Sequence, residues 1–420
     1  MQQTSHHGDG RHVLVIGGGV VGLTSAWWLL EAGFRVTLLE RAPAVGQGAS
    51  YRNGGQLSYR YVAPLADAGV PLKALQWLFQ ADGPLRFRPE ADWRQWRWLA
   101  AFLANCNGAS NRRTTAKLLE LGELSRQKMA QLAVHVPLSD FGWREAGKLV
   151  VYRTPALFDA AVARADGGKV ISGLEAATLE PALAQLAPHL AGGIYNSGEA
   201  VADCHAFCVA LANRLHEHPR FEGIVHGRAI SLFTEDGKVA GVETEDGWLQ
   251  ADQYVLAAGI QSRDLASTAG IHLPLYPLKG YSLTAPIRAH DIAPAISITD
   301  FEHKTLYARI GDSLRVAAMV DMVGDNPALD ARRVAGLTRR TQESMPAAAD
   351  YARLEAWAGL RPATPNSAPL LGRTRHANLW LNVGHGPLGF TFACGTAAIL
   401  ADLMRGTSPP IALDFLAWRP

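Results

Sequence analysis

The stretch HVLVIGGGVVGLTSAWWLLEAGFRVTLLER, residues 12–41, decides how the chain begins to fold. It opens with an apolar run of strand length and β-branched character, His12–Ile16. Glycines in the pattern G-x-G-x-x-G follow, and a helical pattern then runs over residues 23–32. A second strand at residues 35–39 leads into Glu40. This order of strand, glycine turn, helix and strand is that of a βαβ unit that binds a dinucleotide.

Each glycine of the pattern has its own physical role. Gly17 permits the tight turn after the strand, Gly19 lets the backbone approach a pyrophosphate, and Gly22 lets the helix pack closely on the strand. The helix N-terminus then presents free N–H groups to the phosphates. Glu40 lies about twenty residues further on, where an acid binds ribose hydroxyls and disfavours a 2′-phosphate. The stretch therefore predicts a site for FAD or NAD rather than NADP.

Length and composition indicate a globular protein with room for two or three domains. The chain has 420 residues, of which 48% are hydrophobic and 19% charged. Its net charge of +2, with no block of like charges, argues against a nucleic-acid partner. The cysteines at 106, 204, 208 and 394 do not complete a zinc site and are typical of thiols in a reducing compartment. The sequence therefore predicts no metal site.

The N-terminal segment MQQTSHHGDGRH lacks the charged region and apolar core of a signal peptide. The longest apolar segment is residues 12–41, whose glycines favour strand, turn and helix over a membrane span. We therefore expect a cytoplasmic protein.

Residues 71–104 interleave aromatic and basic side chains. Such a pattern is typical either of a helix on a membrane surface or of helices whose arginine stems cover apolar protein surface. Because no one-sided basic face is sustained, packing is favoured. Any membrane contact is then expected to be peripheral, at the inner face of the membrane.

The rest of the chain alternates between two kinds of pattern. A Gly-, Ser- and Asn-rich segment over residues 42–61 is either an ordinary surface loop or one that lays backbone amides along a cofactor. Strands are predicted at residues 227–233 and in the run before Gly259. From residue 276 to 319 short strands predict a second, sheet-rich domain.

The C-terminal third of the chain contains two predicted helices. The first runs from Pro327 to Ser344, with Asn326 as its cap. A strand at residues 379–383, a Gly-rich turn and a helix over residues 390–404 then repeat the order seen at the start of the chain. A second helix N-terminus is therefore expected to face an electron-rich group.

Several strings together resemble the FAD-dependent oxidoreductases of the D-amino-acid oxidase, glycine oxidase and sarcosine oxidase family, and within it the small flavoprotein subunit of the D-amino-acid dehydrogenase branch. The resemblance covers nearly the whole chain from about residue 12. The strings are VIGGGVVGLTSAWWL, GVPLKALQWLF, YPLKGYSLT, WAGLRPATP and LNVGHGPLGFTFACG.

The resemblance implies an α/β plus α+β fold. A Rossmann-type FAD-binding domain would comprise residues 1–65, 198–270 and 357–420. A β-sheet-rich substrate domain would be interleaved with it, at residues 66–197 and 271–356. The FAD would be non-covalent, because no cysteine lies between residues 357 and 373.

The same resemblance implies the residues that bind FAD. They are Gly17, Gly19, Val20, Val21, Gly22, Glu40, Arg41, Ala49, Ser50, Gly54, Gly55, Gln56, Ala229, His385, Gly386, Pro387, Leu388, Gly389, Phe390 and Thr391. Gly259 is added from its own pattern, because a strand that ends in small residues and glycine can pass close to a dinucleotide.

On the substrate side, Arg361 matches the arginine that holds a substrate carboxylate, for which a planar guanidinium fork is suited. Tyr281 and Tyr307 lie on predicted strands and are interpreted either as pocket residues or as aromatic core. Two positions depart from the pattern of the dehydrogenases: Asn366 stands where they tend to have Asp, and Pro387 where they tend to have Thr.

The activity that the resemblance implies is oxidative deamination of a D-amino acid. Hydride would leave the substrate α-carbon for flavin N5, and the imino acid would hydrolyse to a 2-keto acid and ammonia. A quinone or the respiratory chain would accept the electrons. Two alternatives stay open: oxidation of glycine, sarcosine or another secondary amine, and an electron-transfer flavoprotein subunit that is inactive without a partner.

Overall fold

A computed structural model of the chain describes residues 10–78, 83–165, 167–414 and 416. In chain order the strands are β1 (His12–Ile16), β2 (Arg35–Glu40), β3 (Gln56–Leu57), β4 (Leu85–Phe87), β5 (Lys148–Tyr152), β6 (Lys169–Ile171), β7 (Gly192–Asn196), β8 (Ala200–Val201), β9 (Phe221–His226), β10 (Ala229–Glu235), β11 (Lys238–Thr244), β12 (Gly247–Leu249), β13 (Gln253–Leu256), β14 (Tyr276–Pro286), β15 (Ser297–Asp300), β16 (Thr305–Ile310), β17 (Ser313–Met322), β18 (Glu355–Ala363), β19 (Leu370–Arg373) and β20 (Leu379–Val383). The helices are α1 (Val20–Glu31), α2 (Val70–Leu78), α3 (Trp93–Asn105), α4 (Gly108–Leu132), α5 (Pro155–Val162), α6 (Gly173–Leu179), α7 (Cys204–His216), α8 (Ser262–Thr268), α9 (Ala331–Ser344) and α10 (Gly389–Arg405).

The predicted βαβ unit forms the centre of a six-stranded sheet with strand order β19-β20-β13-β1-β2-β9. Strand β1 pairs in parallel with both β2 and β13. Its apolar residues are buried on both faces, as expected for a parallel strand that is covered on each side. One face packs on α1, α4, α7 and α10, and the other on α8 and the β10–β12 sheet.

In addition to residues 12–41, the chain has a second long apolar segment, which contains helix α10. By length and composition alone, Gly386–Arg405 would suffice to cross a membrane. In the structure 72% of its most apolar window is buried inside the protein, and α10 packs against α1 and α4. Its apolar surface is therefore used in the core of the six-stranded sheet.

The second large sheet has the strand order β18-β14-β17-β16-β15-β5-β7-β6, with β4 paired to β17. Successive neighbours from β18 to β15 are antiparallel. One face of this sheet carries a core cluster that includes residues of α6 and α9. The opposite face looks toward the six-stranded sheet and carries the cavity described below.

Several predicted boundaries were wrong. The helix predicted from Pro327 begins at Ala331, where the Asp330 carboxylate accepts hydrogen bonds from the first-turn N–H groups. Asn326 instead accepts from the N–H of Ala328. The strand predicted at residues 227–233 is β10, which begins two residues later and pairs with β11 rather than with the six-stranded sheet.

Two features of the structure bear on the predicted domain limits. The limit at residue 357 falls inside β18, which pairs with β14 along its whole length in the second sheet. Helix α4 lies in the predicted substrate segment, yet its apolar residues pack in the core of the six-stranded sheet with α10. The exact division of the chain into two domains stays a prediction.

The glycine turn tolerates no side chain at Gly22, because an added Cβ would lie 1.7 Å from the carbonyl oxygen of Gly17. We expect Gly22→Ala to separate α1 from β1 and to cost on the order of 3 kcal/mol of unfolding free energy. The matched control is Gly198→Ala, where an added Cβ meets nothing within 4 Å. Denaturant unfolding and flavin content measure the effect. Equal stability and flavin content in both variants would contradict the proposed packing role.

Candidate active site

A cavity of 2210 Å³ is lined from both large sheets. The predicted cofactor residues along its wall are Gly17, Gly19, Val20, Val21, Glu40, Arg41, Ala49, Ser50, Gly54, Gly55, Gln56, Ala229, Gly259, His385, Gly386, Pro387, Leu388, Gly389, Phe390 and Thr391. Arg361 and Tyr281 lie on the same wall, whereas Gly22 is packed beneath Gly17. The structure thus brings together residues from four distant parts of the chain.

Glu40 ends β2 at one end of this cavity. Its Oε2 accepts a hydrogen bond of 2.6 Å from the N–H of Gly18, and its Oε1 accepts one of 2.8 Å from the N–H of Ala42. A carboxylate oxygen can accept more than one hydrogen bond, so both oxygens retain capacity for hydroxyl donors. The glycine turn therefore holds the acid where a ribose edge would need it.

The N-terminus of α1 faces the same part of the cavity. Gly17 has a φ of +114°, and an added Cβ there would lie 2.6 Å from the carbonyl oxygen of Ala257. Gly19 is the cap of α1 and supplies no side chain to it, while the N–H of Val20 donates to Ser50 Oγ at 3.0 Å. The turn thus leaves a bare backbone surface at the positive end of a helix, which fits a pyrophosphate.

A second helix N-terminus lines the same cavity, where the turn from His385 leads into α10. Its N-cap residue, Leu388, makes no side-chain hydrogen bond to the helix, and residues 389–391 of the first turn line the cavity. Burial lowers the pKa of His385 to about 3, so the ring is neutral at physiological pH, and its Nε2 lies 3.0 Å from Thr396 Oγ1. The positive end of α10 is therefore available to an electron-rich ring such as the flavin pyrimidine.

Lys148, the first residue of β5, is a cavity residue that sequence reasoning missed. Its Nζ donates to Gln56 Oε1 at 2.6 Å and to Ser58 Oγ at 3.1 Å, and it lies 4.4 Å from the ring centroid of Tyr61. Burial lowers the pKa of Lys148 to about 7. The Gln56 Nε2 in turn donates to Ser297. The available signal in the sequence was a lysine directly before an apolar run of strand length, residues 149–152.

Arg361 projects from β18 into the cavity as a cation without a carboxylate partner among residues 10–78, 83–165, 167–414 and 416. Its Nη1 donates to the carbonyl oxygen of Met319 at 3.0 Å. The acid that acts on it electrostatically, Asp321, already accepts from Arg333 Nη2 at 2.7 Å and from the Tyr281 hydroxyl at 3.0 Å. Burial lowers the pKa of Arg361 to about 10, so it stays charged at neutral pH.

The backbone around Arg361 is shaped to the guanidinium. An added Cβ at Gly280 would lie 2.1 Å from Arg361 Nη2. On the next strand Met319 has a φ of +67°, and the pairing register between β14 and β17 shifts beside it. Such a bulge re-aims the backbone, and here the Met319 carbonyl accepts from the guanidinium. Gly280 and Met319 therefore form a cradle that fixes the direction of the Arg361 fork.

Tyr281 and Tyr307, expected either in the pocket or in the aromatic core, have side chains that pack behind the second sheet. The Tyr281 hydroxyl bonds to Asp321 and its ring packs in the core behind the sheet, although the residue forms part of the cavity wall. Tyr307 packs in the same core cluster, together with Leu337 of α9, and is not a lining residue of the cavity. These contacts favour the aromatic core for both residues, and a role of either tyrosine in the pocket stays a prediction.

We expect Gly280→Ala to displace the guanidinium and to weaken the binding of a simple carboxylate at least tenfold, which is about 1.4 kcal/mol. The flavin content should not change, because Gly280 lies on the opposite sheet from the glycine turn. Carboxylate binding is measured by titrating the absorbance of the bound flavin. The control is Gly48→Ala, a cavity glycine at which an added Cβ meets nothing within 4 Å. Unchanged carboxylate affinity in Gly280→Ala would refute the cradle.

Known proteins match the chain over almost its full length. The family described as DAO, FAD dependent oxidoreductase, matches residues 12–403. D-amino acid dehydrogenase 2 of Pseudomonas aeruginosa is 49% identical over 404 residues, covering 95% of this chain and 96% of that protein. D-amino acid dehydrogenase 2 of Ralstonia nicotianae is 45% identical over 417 residues, covering 95% and 98%.

Solved structures show the same fold at low sequence identity. Glycine oxidase from Geobacillus kaustophilus superposes with a TM-score of 0.74 at 19% identity, covering 97% of this chain and 99% of that one. L-proline dehydrogenase from P. horikoshii gives a TM-score of 0.69 at 17% identity, covering 95% of each chain. The predicted α/β plus α+β fold is confirmed, and the chain belongs to the DAO family of FAD-dependent oxidoreductases, with FAD as its cofactor.

Proposed function

We propose that this protein is an FAD-dependent dehydrogenase of D-amino acids. The observation that carries the proposal is Arg361, a half-buried guanidinium that faces the cavity with no carboxylate partner among the described residues. A buried cation is unfavourable until an anion neutralises it, and a carboxylate matches the guanidinium fork. The two relatives named D-amino acid dehydrogenase 2 support the substrate class.

The residues of this chain would bind and orient the substrate. Arg361, held by the Met319 carbonyl, fixes the carboxylate and thereby the position of the α-carbon. Bound FAD supplies a two-electron acceptor for the α-carbon hydrogen. Its fit is supported by the bare glycine turn at Gly17, by Glu40, and by the uncapped first turn of α10.

The overall reaction balances without a protein base. The amino acid loses its α-hydrogen with two electrons, and one proton leaves its nitrogen. Water then adds to the imino acid, which gives a 2-keto acid and ammonia. If the amine enters neutral, no side chain has to remove its proton, and we assign no general base.

The electron acceptor that we propose is a quinone or another carrier of the respiratory chain rather than oxygen. The support is the word dehydrogenase in the names of the relatives. We expect slow reoxidation of the reduced protein by air and fast reoxidation by a soluble quinone. Fast reoxidation by oxygen with formation of hydrogen peroxide would contradict this assignment.

A substrate panel under anaerobic conditions separates the alternatives. Bleaching of the flavin by D-amino acids supports the proposal. Bleaching by sarcosine or cyclic amines, with none by D-amino acids, would replace it with oxidation of a secondary amine. No bleaching by any amine, together with a co-purifying partner, would indicate an electron-transfer subunit.

We expect Arg361→Ala to weaken substrate binding by on the order of 2–4 kcal/mol, because the carboxylate loses a charge-assisted bidentate pair. The substrate concentration for half-maximal flavin reduction should then rise about 30- to 1000-fold. Arg361→Lys should recover only part of this loss, since an ammonium has no planar fork. Flavin reduction rate against substrate concentration gives the measurement, with bound FAD quantified in each variant. The same concentration dependence in Arg361→Ala and wild type, at full FAD occupancy, would remove Arg361 from the site.

We expect FAD to be bound without a covalent link and to be released intact by acid or heat. Among the described residues that line the cavity there is no cysteine. Acid precipitation followed by absorbance of the supernatant tests this. Flavin that stays with the precipitated protein would show that a covalent bond exists.

We propose that any contact with a membrane is peripheral. The stretch 71–104 includes α3, whose Trp93 and Trp96 are 59% and 48% exposed, while its Trp98 is buried and donates from Nε1 to the Ala363 carbonyl. Residues 79–82 of this stretch lie outside the described residues. We expect a salt wash to release the protein from a membrane fraction. Release only by detergent would contradict the proposal.

A further inference from the structure

We infer that the cavity beyond Arg361 receives the substrate side chain and that the preferred substrates are D-amino acids with large apolar side chains. This inference rests on the proposed function and on the position of Arg361. An apolar pocket next to the carboxylate site determines which substrate side chains are preferred. The pocket is formed by a floor of strand residues and a wall from α3.

The floor begins beside Arg361. Leu278 on β14 is the register partner of Arg361 on β18, and β17 contributes Val320 and Met322 on the other side of β14. Strand β4 extends the floor, because its Leu85 pairs with Val320 and its Phe87 pairs with Met322. These five floor residues all line the cavity. With neighbouring strands about 4.8 Å apart, the floor extends roughly 14 Å from Arg361.

Helix α3 forms the wall above this floor. Trp98, Leu99 and Phe102 line the cavity, and the rings of Trp98 and Phe102 are stacked at 5.2 Å. The single polar atom of Trp98 is already used, since Nε1 donates to the Ala363 carbonyl at 2.8 Å. The wall therefore presents carbon surface to the cavity.

Two described polar groups close to the pocket, those of Tyr276 and Lys279, are already paired within the protein. The Tyr276 hydroxyl accepts from Gln95 Nε2 at 2.8 Å and from the N–H of Gly324 at 3.1 Å. Lys279 is on the opposite face of β14 and donates to the Ala328 carbonyl. A polar or charged substrate side chain would lose its water here without gaining a partner.

The position of the substrate directs its side chain to this pocket. Arg361 fixes the carboxylate, and oxidation requires the α-carbon to face the flavin. The amine must stay beside the reacting carbon. The remaining substituent then extends along the floor that begins at Leu278. An apolar side chain gains the hydrophobic contribution of burial, which is about fourfold in affinity for each methylene.

The test on the wild-type holoenzyme is anaerobic flavin reduction by single D-amino acids, compared as rate over half-saturating concentration. We expect D-leucine, D-methionine and D-phenylalanine to exceed D-alanine at least tenfold. D-glutamate, which resembles D-methionine in length, should fall at least tenfold below it, because none of the described floor and wall residues is a cation.

Variants then locate the preference in the pocket. Val320→Asp should lower the efficiency with D-leucine at least tenfold and raise that with D-lysine relative to it. Val320→Thr keeps the side-chain volume and is the milder version, with a smaller loss in the same direction. The matched control is Val170→Asp, which changes a valine that is 44% exposed on β6 of the same sheet. The control should keep the wild-type order of substrates.

The outcomes separate this inference from the proposed function. If D-alanine and D-glutamate are as efficient as D-leucine, the protein is still a D-amino-acid dehydrogenase and the apolar pocket is overturned. An unchanged order of substrates in folded Val320→Thr and Val320→Asp would overturn it as well. If only N-methyl or cyclic amines reduce the flavin, the proposed function itself fails.

Discussion

The contact between Gly22 and the Gly17 carbonyl is the constraint on which the rest of the structure depends. Because neither residue carries a side chain, α1 starts directly at the end of β1. The same turn places the N–H of Gly18 on Glu40, so the acid at the end of β2 lies beside the helix N-terminus. A dinucleotide site is therefore a consequence of packing a helix this closely on a parallel sheet.

The second large sheet contributes Arg361, whose positively charged side chain faces the cavity. Arg361 lies on a strand that would normally bury apolar side chains, and its guanidinium occupies the space left by Gly280. The Met319 carbonyl accepts from it, while Asp321 is already bonded to Arg333 and Tyr281. Among the described residues no carboxylate pairs with Arg361, which supports the proposal that its charge binds a substrate anion.

Sequence reasoning worked best where the determinants are local. The βαβ unit, Glu40 and the turn at His385 are each contained in a short segment whose pattern specifies its own fold. Arg361 was found only through family resemblance, because its surroundings are made by two other strands. The register shift beside Met319 is a property of strand pairing and has no signature in either strand alone.

The direction of Tyr281 and Tyr307 was not predictable for a related reason. Strand β14 is buried on both faces over most of its length, so apolar alternation does not tell which face meets the cavity. Lys148 was missed likewise, since a polar residue at the start of a buried strand reads as a strand end. The predicted limit at residue 357 falls inside β18, whose pairing with β14 joins strands that are far apart in the sequence.

The central claim is that Arg361 binds a carboxylate beside FAD. It is tested most directly by a crystal structure of the FAD-loaded protein with an unreactive carboxylate analogue of a D-amino acid. We expect the carboxylate to lie within about 3 Å of the Arg361 guanidinium nitrogens, with the analogue between that side chain and the flavin. A carboxylate bound elsewhere in the cavity, or Arg361 paired with an acid of the protein, would contradict the account.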